Sequence, residues 1–216
     1  MKDFIKGMYR KENFTKRLIT VILAVITMGF ALSWLVLVDM GTDPCTSLNL
    51  AVASKLGVSL GSWQAFFNCI LFIFVILWGR EYIGFGMLAN MFLVGYSVDF
   101  FSWLWDGMLP EGLFDSMGVR IAVLIPALAL FIVAVAVYID VELGTSPYDA
   151  LPAIVHKAQT RFPYRVVRCA YDLLVIVIAY LFGAHIGIVT IVMGFTLGPV
   201  ISWVGERIRP MLGMEA

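Results

Sequence analysis

Arg168 and Asp172 stand four residues apart in an otherwise apolar stretch, Val166–Phe182, with Tyr171 beside them. Residues at i and i+4 share a helix face, so these two can pair with each other. Ionisable groups at membrane depth are costly, and by default they mark a binding site or a proton path. The bland alternatives are a self-satisfied pair and snorkelling of Arg168 to water. Gln64 and Asn68 show the same four-residue spacing in the first half of the chain. Counted from Ser62 at about 1.5 Å per residue, Asn68 lies roughly 9 Å along its apolar stretch, toward mid-membrane. Gln64, Asn68, Arg168, Tyr171 and Asp172 are therefore candidates for a polar cavity. Asp172 is the candidate carboxylate for proton coupling.

A second set of chemistry-bearing residues follows long apolar runs. "VDMGTDPCTSL" opens at Val38 and "VELGTSPYDAL" at Val141, a separation of 103. Each reads as the start of a helix. Gly41 and Gly144 permit a sharp turn, Thr42 or Asp43 and Thr145 or Ser146 can cap, and Pro44 and Pro147 suit the first helical position. Asp149, three residues after Ser146, has near capping-box spacing and favours the positive end of the helix. Helix N-termini also attract anionic or polar ligands, which adds Thr42, Asp43, Thr145, Ser146, Tyr148 and Asp149 as substrate-binding candidates. The competing reading is that these side chains simply satisfy the turn.

The elements that must position these residues are membrane helices. The chain has 216 residues, is 61% hydrophobic and only 14% charged, and its mean hydropathy is +0.93. A soluble domain is usually about a quarter charged, so too little polar surface exists here to cover a water-soluble globule. The predicted class is an all-α, polytopic transmembrane bundle embedded in a lipid bilayer. Six stretches are long enough to cross: Leu18–Val38, Ser62–Gly79, Ile83–Trp105, Ile121–Ile139, Val166–Phe182 and His185–Val204. Cys45–Leu56 and Tyr148–Gln159 are helical in pattern but span only about 18 Å, and read as half-helices.

Shifted by 103, Lys16–Ser102 falls on Val119–Gly205 without a gap, pairing Gly41 with Gly144, Pro44 with Pro147, Gly84 with Gly187 and Gly95 with Gly198. The same shift sets Asn68 and Cys69 against Tyr171 and Asp172. Two internal repeats follow, at 18–105 and 119–207, joined by an acidic loop at 106–118 and flanked by a basic amphipathic segment at 1–17 and a tail at 208–216. Three crossings per repeat make the repeats inverted, whereas four would make them parallel. With six spans and the N-terminus inside, 13 of the 15 basic residues lie on the cytoplasmic side, the usual bias. Eight spans satisfy charge equally well, so length decides for six. Both termini are then cytoplasmic.

Other chemistry is missing from the sequence. Phosphate-binding, His-Glu-x-x-His and Gly-x-Ser-x-Gly motifs do not occur, and Cys45, Cys69 and Cys169 are scattered. The expectation is a non-enzyme with no cofactor and no metal. Balanced charge, 15 basic against 15 acidic residues, argues against nucleic acid. Gly183-x-x-x-Gly187 and Gly194-x-x-x-Gly198 allow close helix contact, either within the chain or in a homodimer. Asp99, near a span end, is read as hydrated by the interface, and Asn90 as interhelical hydrogen-bonding glue.

"LGTSPYDAL" and "IGFGMLANMFLVGYSVDF" resemble the YczE/YyaS/YitT family of bacterial integral membrane proteins, over nearly the whole chain beyond the N-terminal segment. In the first repeat Cys45-Thr46 replaces the Tyr148-Asp149 pair. The resemblance implies a multi-pass protein of the bacterial cytoplasmic membrane, a transporter, without naming a substrate. The functional expectation is alternating-access transport of a small polar or anionic metabolite, proton-coupled through Asp172. The rival is a non-catalytic membrane subunit, capturing substrate or regulating, that acts with partner chains.

Overall fold

A computed structural model describes residues 13–212. Residues 1–12 of the basic N-terminal segment and 213–216 of the tail lie outside the described residues. Eight α-helices follow in order: α1 (Phe14–Val38), α2 (Pro44–Leu56), α3 (Leu60–Trp78), α4 (Phe85–Met108), α5 (Met117–Asp140), α6 (Pro147–Ala158), α7 (Tyr164–Leu181) and α8 (Ile188–Leu212). A short 3-10 turn at Arg80–Tyr82 links α3 to α4, and no strand occurs among the described residues.

Five of the six expected spans, α1, α3, α4, α5 and α8, are long and apolar enough to cross a membrane. Large side chains such as Leu77, Trp78, Trp103 and Leu181 stay exposed on the outside of the bundle. Water would not tolerate so much apolar surface, but acyl chains do. The sixth expected span, α7, departs from the pattern because Arg165, Arg168 and Asp172 fall within its 18 residues. It still runs from one end of the bundle to the other. Its start packs Tyr164 against His156 of α6, and just past its far end Gly183 lies beside Lys55 of α2.

Contacts between helix ends fix the directions. Lys16 Nζ donates to the Leu212 carbonyl at 2.8 Å, Arg17 donates to the Val141 carbonyl at 2.8 Å, and Phe14 packs edge-on against Phe85. The starts of α1 and α4 and the ends of α5 and α8 therefore share one end of the bundle. At the other end Asp39 meets His185 at 2.9 Å, Trp34 meets Phe114, and Trp105 Nε1 donates to Ser33 Oγ at 2.9 Å. Helices α1 and α4 run one way, α5 and α8 the other. These are the helices that the 103-residue shift pairs, α1 with α5 and α4 with α8. Two backbone hydrogen bonds obey the same shift: Gly86 N–H to the Leu143 carbonyl at 2.7 Å, and Val189 N–H to the Met40 carbonyl at 3.2 Å.

Both short helices point inward. Helix α2 has 13 residues and α6 has 12, so they cover about 20 and 18 Å, short of a hydrocarbon core of about 30 Å. The chain leaves α1 at Asp39, turns in at Gly41 (φ 102°) and returns along α2, whose Lys55 ends up beside Phe182 and Gly183. The second half repeats the course at the opposite end through Gly144 (φ 99°), with Lys157 bonded to Glu81 at 2.6 Å. That hydrogen bond holds the Glu81 carboxyl below the usual glutamate range. The inward turns lie against α8 and α4 so closely that a Cβ on Gly187 would overlap the Met40 carbonyl, and one on Gly84 the Leu143 carbonyl. The central core is apolar: Val21, Val25, Leu32 and Leu35 of α1 cluster with Phe131, Val135 and Tyr138 of α5. Helix α2 packs on α7 and α6 on α3, so each half-helix is braced by the other half of the chain.

Candidate functional site

The inward ends of α2 and α6 border one cavity of about 410 Å³. Its apolar walls come from mid-helix positions, Met28 and Leu32 of α1, Phe131 and Val135 of α5, and Leu197 and Ile201 of α8. Its polar lining comes from the half-helices, from α3 and α7, and from Tyr82, Asn90 and Ser202. Of the eleven candidates named from sequence, eight line this cavity: Asp43, Gln64, Asn68, Thr145, Ser146, Tyr148, Asp149 and Arg168.

Thr42, Tyr171 and Asp172 do not line it. The Thr42 hydroxyl pairs with Ser47 Oγ at 2.9 Å and faces a separate pocket of about 230 Å³ beside Asp39 and His185. Tyr171 lies against the ring of Tyr148, 4.8 Å between centroids. Asp172 is 2% exposed, packed behind Tyr148, whose hydroxyl donates to its Oδ1 at 2.7 Å. A carboxylate so enclosed reaches the cavity only through its neighbours, Tyr148 and Arg168, which line it.

The caps are chosen as helix chemistry dictates. Asp43 Oδ1 accepts from the Thr46 N–H at 3.0 Å, and Ser146 Oγ accepts from the Asp149 N–H at 3.0 Å. Ser146 also donates to Asp149 Oδ2 at 2.6 Å. Thr42 and Thr145 do not cap; their own amides donate to Thr190 Oγ1 and the Tyr82 carbonyl. Arg168 ties the second half together. Its Nε donates to Asp172 Oδ2 at 2.8 Å and its Nη1 to Asp149 Oδ1 at 2.5 Å, while the guanidinium lies over the Tyr148 ring. The pair expected from spacing is present, and Asp149 makes it a triad.

One expectation needs correction. The gapless shift set Asn68 against Tyr171 and Cys69 against Asp172. In α3 the buried positions are Leu60, Gly61, Gln64, Asn68, Leu71 and Val75, and Cys69 is exposed. In α7 they are Asp172, Val175 and Ala179. Asn68, Leu71 and Val75 fall on these three at a shift of 104, which also sets Leu60 at the start of α3 on Tyr164 at the start of α7. The connector after α6 (159–163) is two residues longer than the one after α2 (57–59), and α6 is one residue shorter than α2, so α7 starts one position later than the 103-residue match places it. At that shift Gln64 and Asn68 fall on Arg168 and Asp172, two neutral polar residues and a charged pair at the same helical spacing.

Cys45, Thr46, Tyr82, Asn90 and Tyr164 also line the cavity. Asn90 was read as helix glue, and Thr46 follows the capping aspartate by one turn, a signal that could have placed it. Asp99 is not merely hydrated, since its Oδ2 accepts from the Gly61 N–H at 2.8 Å and caps α3. Gly187 and Gly194 are used for packing inside the chain, against Met40 and against Ile176, whereas Gly198 faces open cavity.

The model of a family of unknown function, DUF6198, matches residues 15–206. The chain belongs to the DUF6198 family. The uncharacterized membrane protein YczE of Bacillus subtilis (strain 168) is 24% identical over 164 residues, covering 76% of this chain and 73% of that protein. The uncharacterized protein YyaS of the same organism is 24% identical over 190 residues, covering 86% and 92%. No solved structure matches the chain. The resemblance read from "LGTSPYDAL" is thus to the right relatives, and this DUF6198 chain is a membrane protein.

Proposed function

We propose that the protein is a transporter that carries a small polar metabolite by alternating access, without a catalytic step. The observation that carries this reading is the mid-bundle cavity flanked by two half-helices whose capped starts reach it from opposite ends. In an inverted-repeat carrier such a site is shared by both halves and can be exposed to either face by rocking one half on the other. The antiparallel course of α1 and α5, and of α4 and α8, supports inverted repeats, as do the two hydrogen bonds related by the 103-residue shift. In this reading α7 is the sixth span, its charges neutralised within the bundle. The protein sits in the bacterial cytoplasmic membrane with both termini inside, where its basic residues concentrate. Purified single chains in liposomes test the proposal. Saturable uptake of a radiolabelled metabolite that thermally stabilises the protein is the expected result. Stabilisation without uptake unless a second subunit is added would replace the carrier with a capture subunit.

A further inference from the structure

Acid exceeds base around this cavity. One guanidinium, Arg168, serves two carboxylates, Asp149 and Asp172, whose remaining oxygens are taken by Ser146 and Tyr148. Among the described residues no other lysine or arginine lines the space. Asp43 adds a third carboxylate. It is only 8% exposed and lines the cavity. Its Oδ1 is used by the cap, while its buried Oδ2 has no hydrogen-bond partner. Gln64, 6% exposed and lining the same space, has an unpartnered Oε1. Buried acceptors left without donors cost free energy, and an uncompensated buried charge costs more. A cap needs one oxygen, so helix geometry does not account for the second.

An anion would find little here. The cap bonds already use the Thr46 and Asp149 amides, and the guanidinium is shared between two carboxylates. The geometry points instead to a cation. We infer that the cavity binds a small organic cation bearing N–H donors, an ammonium or guanidinium group, held by Asp43 Oδ2. This deepens the transport reading and rests on it only for what happens after binding. It replaces the expected polar or anionic cargo with a cationic one.

The test is the melting temperature of the detergent-purified full chain at matched ionic strength. Methylammonium and methylguanidinium chlorides are the donor-bearing probes, tetramethylammonium lacks N–H donors, and sodium acetate and phosphate are the anions. Methylammonium or methylguanidinium should stabilise the wild type, and tetramethylammonium less. D43N keeps a capping oxygen and should fold, but bind the effective probe at least about tenfold more weakly, as loss of a charge-assisted hydrogen bond demands. D43S, a second capping variant, should behave alike. Stabilisation by the anions alone, no shift with either donor-bearing cation, or a cation shift undiminished in both variants each overturns the inference. Liposome uptake separates the two claims. Asp43-dependent stabilisation without transport sinks the carrier and keeps the cation site, whereas anion transport with no cation effect sinks only the cation site.

Discussion

Replacing Arg168 by glutamine should be among the most damaging single changes in the bundle, and a second mutation should repair part of the damage. Arg168 contacts two carboxylates of unequal burial: the Asp149 side chain is 29% exposed, that of Asp172 only 3%. Asp149 retains Ser146 and some solvent, so its loss is small. Asp172 would keep only the Tyr148 hydroxyl and an uncompensated buried charge. Removing one member of such a pair typically costs about 3–5 kcal/mol. R168Q/D172N places in α7 the same neutral residue types, glutamine and asparagine, that α3 carries at 64 and 68. With the charge gone, the remaining cost is that of rearranged neutral hydrogen bonds, about 1–2 kcal/mol. The double mutant should thus be more stable than R168Q alone, with a coupling of about 2 kcal/mol, inside the range seen for contacting residues. Reversible denaturation of wild type, both singles and the double in mixed micelles gives the cycle. Additive costs would refute the pairing.

G84A and G187A should each destabilise by about 1–3 kcal/mol, because the new methyl meets a backbone carbonyl that cannot swing aside; G198A, with open space around it, should leave the melting temperature unchanged or raised. Asp99→Ala removes the cap on the Gly61 amide and should cost about 1 kcal/mol by the same denaturation assay, with Asp99→Asn largely spared. Lys157→Ala should leave thermal stability unaltered, since the Glu81–Lys157 pair is exposed. It should, however, move the Glu81 carboxyl titration, read by carbon NMR, back up toward ordinary glutamate. The sign follows from the lowered carboxyl: the ion pair persists at neutral pH and is lost only as acidity passes through the depressed value.

Much of this fold is written in short-range chemistry and could be read directly. Spans follow from apolar length, and Gly-Thr-Asp/Ser-Pro announces a capped helix start whatever surrounds it. Eight of the eleven candidate side chains line one cavity because half-helix starts and polar mid-span residues have few other places to go in a lipid-embedded bundle. What eluded sequence reasoning depends on rotation and on long-range partners. A net offset of one residue across α6 and its connector turns α7 by about 100°, which decides whether Asp172 or Tyr171 answers Asn68, and apolar residues on either side carry no mark of it. Asp99 sits 38 positions from the amide it caps, a distance no local pattern encodes. The spare oxygen of Asp43 is invisible in a motif that looks complete once its helix is capped.

The geometry at the centre of this reading, half-helices that enter and leave by the same face, can be measured by sidedness. In a chain with Cys45, Cys69 and Cys169 replaced, single cysteines at Asp39, Lys55, Glu142 and Lys157 are probed with a membrane-impermeant maleimide in intact and permeabilised cells. Positions 39 and 55 should label together from outside, and 142 and 157 together only after permeabilisation. Labelling of 39 and 55 from opposite faces would mean that α2 crosses the bilayer, and the shared cavity between inverted halves would be lost with it.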